Sequence, residues 1–132
     1  MRSDLDAALV GDFPYLFALR HQDADECSMS RGFACGDGWE GIIRRLAEKL
    51  EPLAASGALR ATQVKEKFGT LRFLLARGCE PPDDLSRMIH EAEQESQRTC
   101  EECSAPGTMQ RITGRRWWTL CDPCADREAK HR

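Results

Sequence analysis

No run of apolar residues in this sequence can span a bilayer: FLLA at 73–76, among the longest, holds four residues where a transmembrane helix needs about 20. The N-terminal stretch MRSDLDAALVGD is acidic and lacks the basic and apolar regions of a secretory signal, so a cytoplasmic location is expected. Histidine is scarce. The three that occur, His21, His90 and His131, are scattered, and none lies in 104–120, which excludes nucleases that set a catalytic His between two Cys knuckles. Zinc deaminases are excluded as well, because Arg127 stands where their Pro-Cys-x-x-Cys pair needs its last Cys. No internal repeat, low-complexity tract or linker-like break divides the 132 residues, which fit one domain. A dominant basic face is also missing: the net charge is −3, unlike that of a typical nucleic-acid binder.

Cysteine, by contrast, is plentiful. There are seven, and four of them stand as two Cys-x-x-Cys pairs in CEECSAPGTMQRITGRRWWTLCDPC, from Cys100 to Cys124. The 17-residue insert between the pairs reads as one short hairpin, TMQRI and WWTL with Gly114 in the turn. A two-residue spacing folds each pair into a knuckle whose thiolates point at one ion at about 2.3 Å, and two knuckles complete a tetrahedron. The expected cofactor is one structural Zn2+ held by Cys100, Cys103, Cys121 and Cys124. Four thiolates leave no open position for water, so such an ion does no chemistry. A disulfide framework is disfavoured by the odd cysteine count and the missing signal, and a redox pair by the lack of a buried strand leading into a helix. Cys27, Cys35, Cys79 and His90 form a weaker candidate for a second site.

Upstream of the ribbon the pattern predicts an α+β domain, with helices packed on a small antiparallel hairpin over 1–99, the integrated ribbon at 100–124 and a charged, fraying tail at 125–132. A short helix is expected over 3–10 and another over 13–21, where Phe13, Tyr15, Leu16, Phe17 and Leu19 surround Pro14. Residues 22–36 read as a loop. Trp39, Ile42, Ile43, Leu46, Leu50 and Leu53 recur at helical spacing and mark one buried stripe. Asp37 and Glu40 are placed as a capping box at its start, Gly57 as its stop, and Pro52 as a kink or an end near Glu51. Strands are predicted near 60–66 and 70–77, reversing around Gly69, with Leu71, Phe73 and Leu75 on one face. After Pro81-Pro82 a helix capped by Asp83 or Asp84, with Leu85, Met88, Ile89 and Ala92 inward, runs into Cys100.

Charge is blocked rather than mixed. Residues 60–79 carry five basic and one acidic side chain, and 111–132 six and three, while 1–59 carry six and ten and 80–110 two and eight. Lys65, Lys67 and Arg72 read as a solvated strand face or a binding patch. Glu66 lies on the apolar side of its strand, where a pair with Arg72 would give it a partner. Arg111, Arg115, Arg116, Trp117 and Trp118 set guanidinium groups beside large rings, a combination suited to stacking on bases or anchoring a protein. One Trp must fill the small core over the metal, leaving the other for a partner. Asp37, Lys65 and Glu66 form a candidate catalytic set only if they converge in one cleft.

The string GFACGDGW, followed by VKEKFGTLRF and a helix leading into CEEC and CDPC, resembles a family of small, mostly uncharacterised proteins from phages, prophages and proteobacterial genomes. The resemblance covers roughly 32–124, and its most specific strings are CGDGW at 35–39 and VKEKFGTLRF at 64–73. Ser104 departs from the Gly common in the knuckle, which is expected to loosen the first turn. The family implies no reaction. It implies a setting more than a function, and the function expected in that setting is a non-enzymatic interaction protein that occupies a host protein or nucleoprotein complex, for example an anti-CRISPR or other anti-defence inhibitor. In that setting Glu91, Glu93 and Glu95 would mimic a phosphate backbone. The alternative is a nucleic-acid-binding zinc-ribbon regulator.

Overall fold

The computed structural model describes residues 1–22, 28–76, 78–112, 114 and 116–131. Among these the fold is α+β: α1 (Ser3–Asp12), α2 (Glu40–Ala55), the hairpin β1 (Ala61–Lys67) and β2 (Thr70–Leu75), α3 (Asp83–Ser96), the hairpin β3 (Thr108–Ile112) and β4 (Arg116–Leu120), and α4 (Asp122–Lys130). No described helix is long and apolar enough to cross a membrane.

The stripe on α2 organises the larger of two cores. Ile42, Ile43, Leu46, Ala47, Leu50 and Ala54 are buried, with Trp39 fully buried one residue before the helix. Each Ile and Leu side chain so withdrawn from water contributes about 1.5–3 kcal/mol before the entropy of ordering it is counted. Val64, Leu71 and Phe73 meet this stripe from the hairpin, and Phe13, Leu16 and Phe17 from the N-terminal segment. The expected helix over 13–21 is reduced to a single 3-10 turn at Ala18–His21. Glu51 instead fixes the aromatic segment by accepting the backbone N–H groups of Tyr15 and Leu16 at 3.0 and 2.8 Å.

Several local expectations are corrected. Pro52 does not end α2, which continues to Ala55; the carbonyl that loses its partner belongs to the exposed Glu48. The stop is at Gly57, as its sequence position suggests. Gly57 N–H bonds to Ala54 O and Ala58 N–H to Leu53 O, with Gly57 at φ +88°, the left-handed closing turn of a helix. The capping box does not form: a 3-10 turn at Asp37–Trp39 precedes α2, and Asp37 accepts the N–H of Arg2 at 2.7 Å instead. Pro82, not an aspartate, is the residue before α3, with Asp83 and Asp84 in its first turn. The charged tail forms α4, begun by Cys121 and a first-turn Pro123.

Both edges of the β1–β2 hairpin are closed. Ala34 exchanges bonds with Val64 and Glu66 along β1, while Ser96 and Glu93 of α3 accept the outward N–H groups of Leu71 and Phe73 on β2. A strand edge covered in this way offers no template for pairing with another chain. The hairpin closes at the pair Lys67 and Thr70, so its turn is Phe68-Gly69, both left-handed at φ 55° and 80°. Gly suits that geometry; Phe does not, and it is 65% exposed, so burial returns little for the strain. Phe68→Asn is expected to raise unfolding stability by about 1 kcal/mol in urea titration; a destabilised variant would show that the Phe ring supports the fold.

Candidate metal centre

Cys100 and Cys103 sit where α3 runs out into the ribbon, and Cys121 and Cys124 where β4 enters α4. The second pair therefore does follow a strand with a buried end into a helix start, contrary to the expectation, and it is the gathering of all four sulfurs that sets it apart from a redox pair. In the first knuckle Ser104 N–H bonds back to Cys100 O at 3.0 Å, and Cys100 N–H bonds to Ala105 O at 2.7 Å. In the second, Cys121 precedes α4 and its carbonyl accepts Ala125 N–H. The four sulfurs lie within 4.8 Å of one another, with Cys103 and Cys121 at 3.6 Å. A tetrahedron with metal–sulfur bonds of about 2.3 Å has edges of about 3.8 Å, so the cluster is shaped to hold a metal ion and is compatible with zinc.

The surroundings tune the thiols unequally. Backbone N–H of Cys124 lowers the Cys121 thiol to about 7, whereas burial pushes the Cys100 and Cys124 thiols up, so that a bound cation would be needed to hold all four as thiolates. Arg127 donates Nη2 to Cys124 Sγ at 2.9 Å, an outer contact that steadies a ligand sulfur. Over the site lies a second, small core of Ile112, Trp118, Leu120 and Ala125. Trp118 is the tryptophan that fills it, and Arg116 stacks on its ring at 3.6 Å.

The knuckle is gripped by the CGDGW segment. Gly38 N–H donates to Glu101 O at 2.6 Å, Gly36 N–H to Glu101 Oε2 at 3.0 Å, and Trp39 Nε1 to Thr99 O at 2.9 Å. Ser104 completes the clasp by donating its hydroxyl to Gly38 O at 2.8 Å. Its residue type therefore ties the turn down at φ 73°, contrary to the expected loosening. A Cβ at Gly38 would fall 2.1 Å from Cys100 O, and one at Gly36 2.4 Å from Glu101 O. These two glycines are required by contact, not by turn geometry. Glu101 is 3% exposed, burial pushes its carboxyl up to about 7, and its Oε1 is buried without a partner.

A second seam joins the hairpins. Thr119 donates its hydroxyl to Gly69 O at 2.7 Å, and Arg116 pairs with Glu66 at 2.8 Å. The expected Glu66–Arg72 pair is absent: Arg72 stands opposite Lys65 in the ladder, on the outer face, while Glu66 faces inward with Leu71. Asp37, Lys65 and Glu66 do not converge, since Asp37 is held by Arg2 and adjacent strand residues point to opposite faces. Of the acidic trio, Glu93 holds Phe73 N–H and Glu95 is bonded to Arg45 through both oxygens. Glu91 is exposed, with Arg87 at 4.0 Å. Lys67, Arg111 and Trp117 are exposed, and Arg115 and Cys27 lie outside the described residues. The only thiol cluster among the described residues is the ribbon; Cys35 is separately buried and its thiol pushed up to about 12 by that burial. No protein-family model, curated protein or solved structure matches the chain.

Two outcomes test this centre. The purified protein is expected to hold one metal ion per chain by elemental analysis, and Cys124→Ser to lose it; an unchanged metal content in the variant would place the ion elsewhere. Gly38→Ala is expected to cost about 3 kcal/mol in urea unfolding, because backbone cannot yield to the added carbon, whereas Gly57→Ala, with open space around it, costs about 1 kcal/mol from its left-handed φ alone.

Proposed function

We propose that the protein is a non-enzymatic zinc-binding interaction protein of phage or prophage type that acts by binding a host protein or nucleoprotein complex. An anti-CRISPR or other anti-defence inhibitor is its concrete form. The observation that carries this reading is the division of labour in the ribbon: the four thiols gather at one point and Trp118 fills the small core beside them, while Trp117, 40% exposed, and Arg111 beside it face outward. Rings and guanidinium groups presented on a stiff, metal-fastened hairpin are the side chains that most often dominate binding interfaces. The zinc assignment rests on the four-thiolate donor set and its spacing.

The separate engagements of Asp37 and Glu66 favour this reading over the enzyme alternative. The anchor is assigned to the ribbon hairpin and not to the acidic helix, because Glu93 and Glu95 are committed to contacts within the fold and phosphate mimicry would fall largely to Glu91. Tagged protein incubated with host lysate is expected to recover one complex that Trp117→Ala together with Arg111→Ala fails to recover. Equal recovery by the double variant would remove the hairpin from the interface, and recovery of nothing above the untagged control would overturn the proposal.

A further inference from the structure

The tip of the first hairpin and the outer face of the second meet. Gly69 packs on β4 so closely that a Cβ there would lie 3.4 Å from the Cβ of Trp117, which places its neighbour Phe68 and Trp117 on either side of one junction. Both rings are among the exposed large hydrophobic side chains, and each carries a cation: Lys67 Nζ at 5.6 Å from the Phe68 centroid, the Arg111 guanidinium at 5.6 Å from that of Trp117. Lys65 and Arg72, directly opposed across β1 and β2, continue the basic side chains along the same outer hairpin face as Lys67.

Two independent features mark this surface as built for a ligand. The first is Phe68 itself, held in a left-handed turn position where the fold gains neither local conformational ease nor much burial from it. The second is charge. Lys65, Lys67, Arg72 and Arg111 gather on this side of the two hairpins, and none of them enters an ion pair among the described residues. Four cations around two projecting rings match a ligand that alternates anionic groups with planar, stackable ones.

We propose that this surface binds single-stranded DNA, with Phe68 and Trp117 stacking on unpaired bases and Lys65, Lys67, Arg72 and Arg111 contacting the phosphates. Rings on a projecting tip can stack only on bases already free of a duplex. An acidic peptide would meet the cations but offer the two projecting rings no planar groups to stack on, whereas unpaired bases do. The side chains named on this face are cations and rings, with no amide or hydroxyl among them to read a ribose 2′-hydroxyl, and DNA is the assignment. The inference rests on the interaction-protein reading and names the chemistry its partner presents.

Fluorescence polarisation with the full, metal-loaded chain and a labelled dT12 strand tests it. Binding is expected to exceed that of the dT12·dA12 duplex by about tenfold, and log K to fall against log salt with a slope of about −3 for four phosphate contacts. Trp117→Ala and Phe68→Asn are each expected to weaken binding about tenfold. Phe68→Asn separates folding from binding, since it is expected to stabilise the chain while impairing the site. Duplex binding equal to that of the single strand, undiminished binding by Phe68→Asn, or tighter binding of rU12 would each overturn the proposal. Recovery of a host complex after nuclease treatment, with no dT12 binding, would overturn this inference and leave the interaction-protein reading standing.

Discussion

Everything in the C-terminal third depends on one close approach, the passage of Gly36 and Gly38 against the backbone of Cys100 and Glu101. At that contact the backbone of the two glycines lies against that of Cys100 and Glu101, so Gly38 N–H reaches Glu101 O, Gly36 N–H reaches the Glu101 carboxylate, and the Trp39 indole reaches Thr99 O just before the knuckle. The consequence runs in both directions. The knuckle holds the start of α2 in place, and α2, whose stripe centres the main core, gives the knuckle a fixed platform. A metal ion bound by the four sulfurs would thus stabilise more than its own loop, because ligand affinity that exists only in the folded arrangement becomes folding free energy.

The second seam has a different character. Thr119 on Gly69 and Arg116 on Glu66 bring the two hairpins together without large apolar burial. The Arg116–Glu66 pair is half-shielded: the Glu66 side chain is 14% exposed, the Arg116 side chain 44%, so water screens it from one side. Its value lies in setting the angle at which the first hairpin's tip meets β4 more than in stability. That angle decides which rings are presented outward. Trp118 turns to the metal core, Trp117 to the surface, and Phe68 projects beside it.

Much of the architecture was legible in the sequence wherever a signal is local. Cys-x-x-Cys spacing, the stripe from Trp39 to Leu50, the reversal at Gly69 and the helix after Pro81-Pro82 each depend on neighbours within a few turns. What failed depended on partners far along the chain. Asp37 and Glu40 satisfy the capping-box pattern, yet Asp37 bonds to Arg2 and Glu40 to Arg44, because the clasp on the knuckle sets the backbone there. Glu66 was expected to pair with Arg72, six positions along the chain, but ladder register puts Arg72 on the opposite face and the partner is Arg116 on the other hairpin. Ser104 illustrates the same limit, its hydroxyl answering a carbonyl 66 positions away. Other signals were present and underread. Asp122-Pro123 is a helix start, which the charged composition of the tail obscured. Two glycines flanking Asp37 hinted at a backbone contact rather than a cap, and an acidic residue inside a Cys knuckle hinted at Glu101.

Mechanical coupling between the four-cysteine knuckle and the α2 core is what amide hydrogen exchange with and without a metal chelator measures. Chelation is predicted to remove protection from the ribbon and, with it, from the Ile43–Leu50 amides of α2, in one cooperative step. Loss confined to the ribbon, with α2 fully protected, would contradict it.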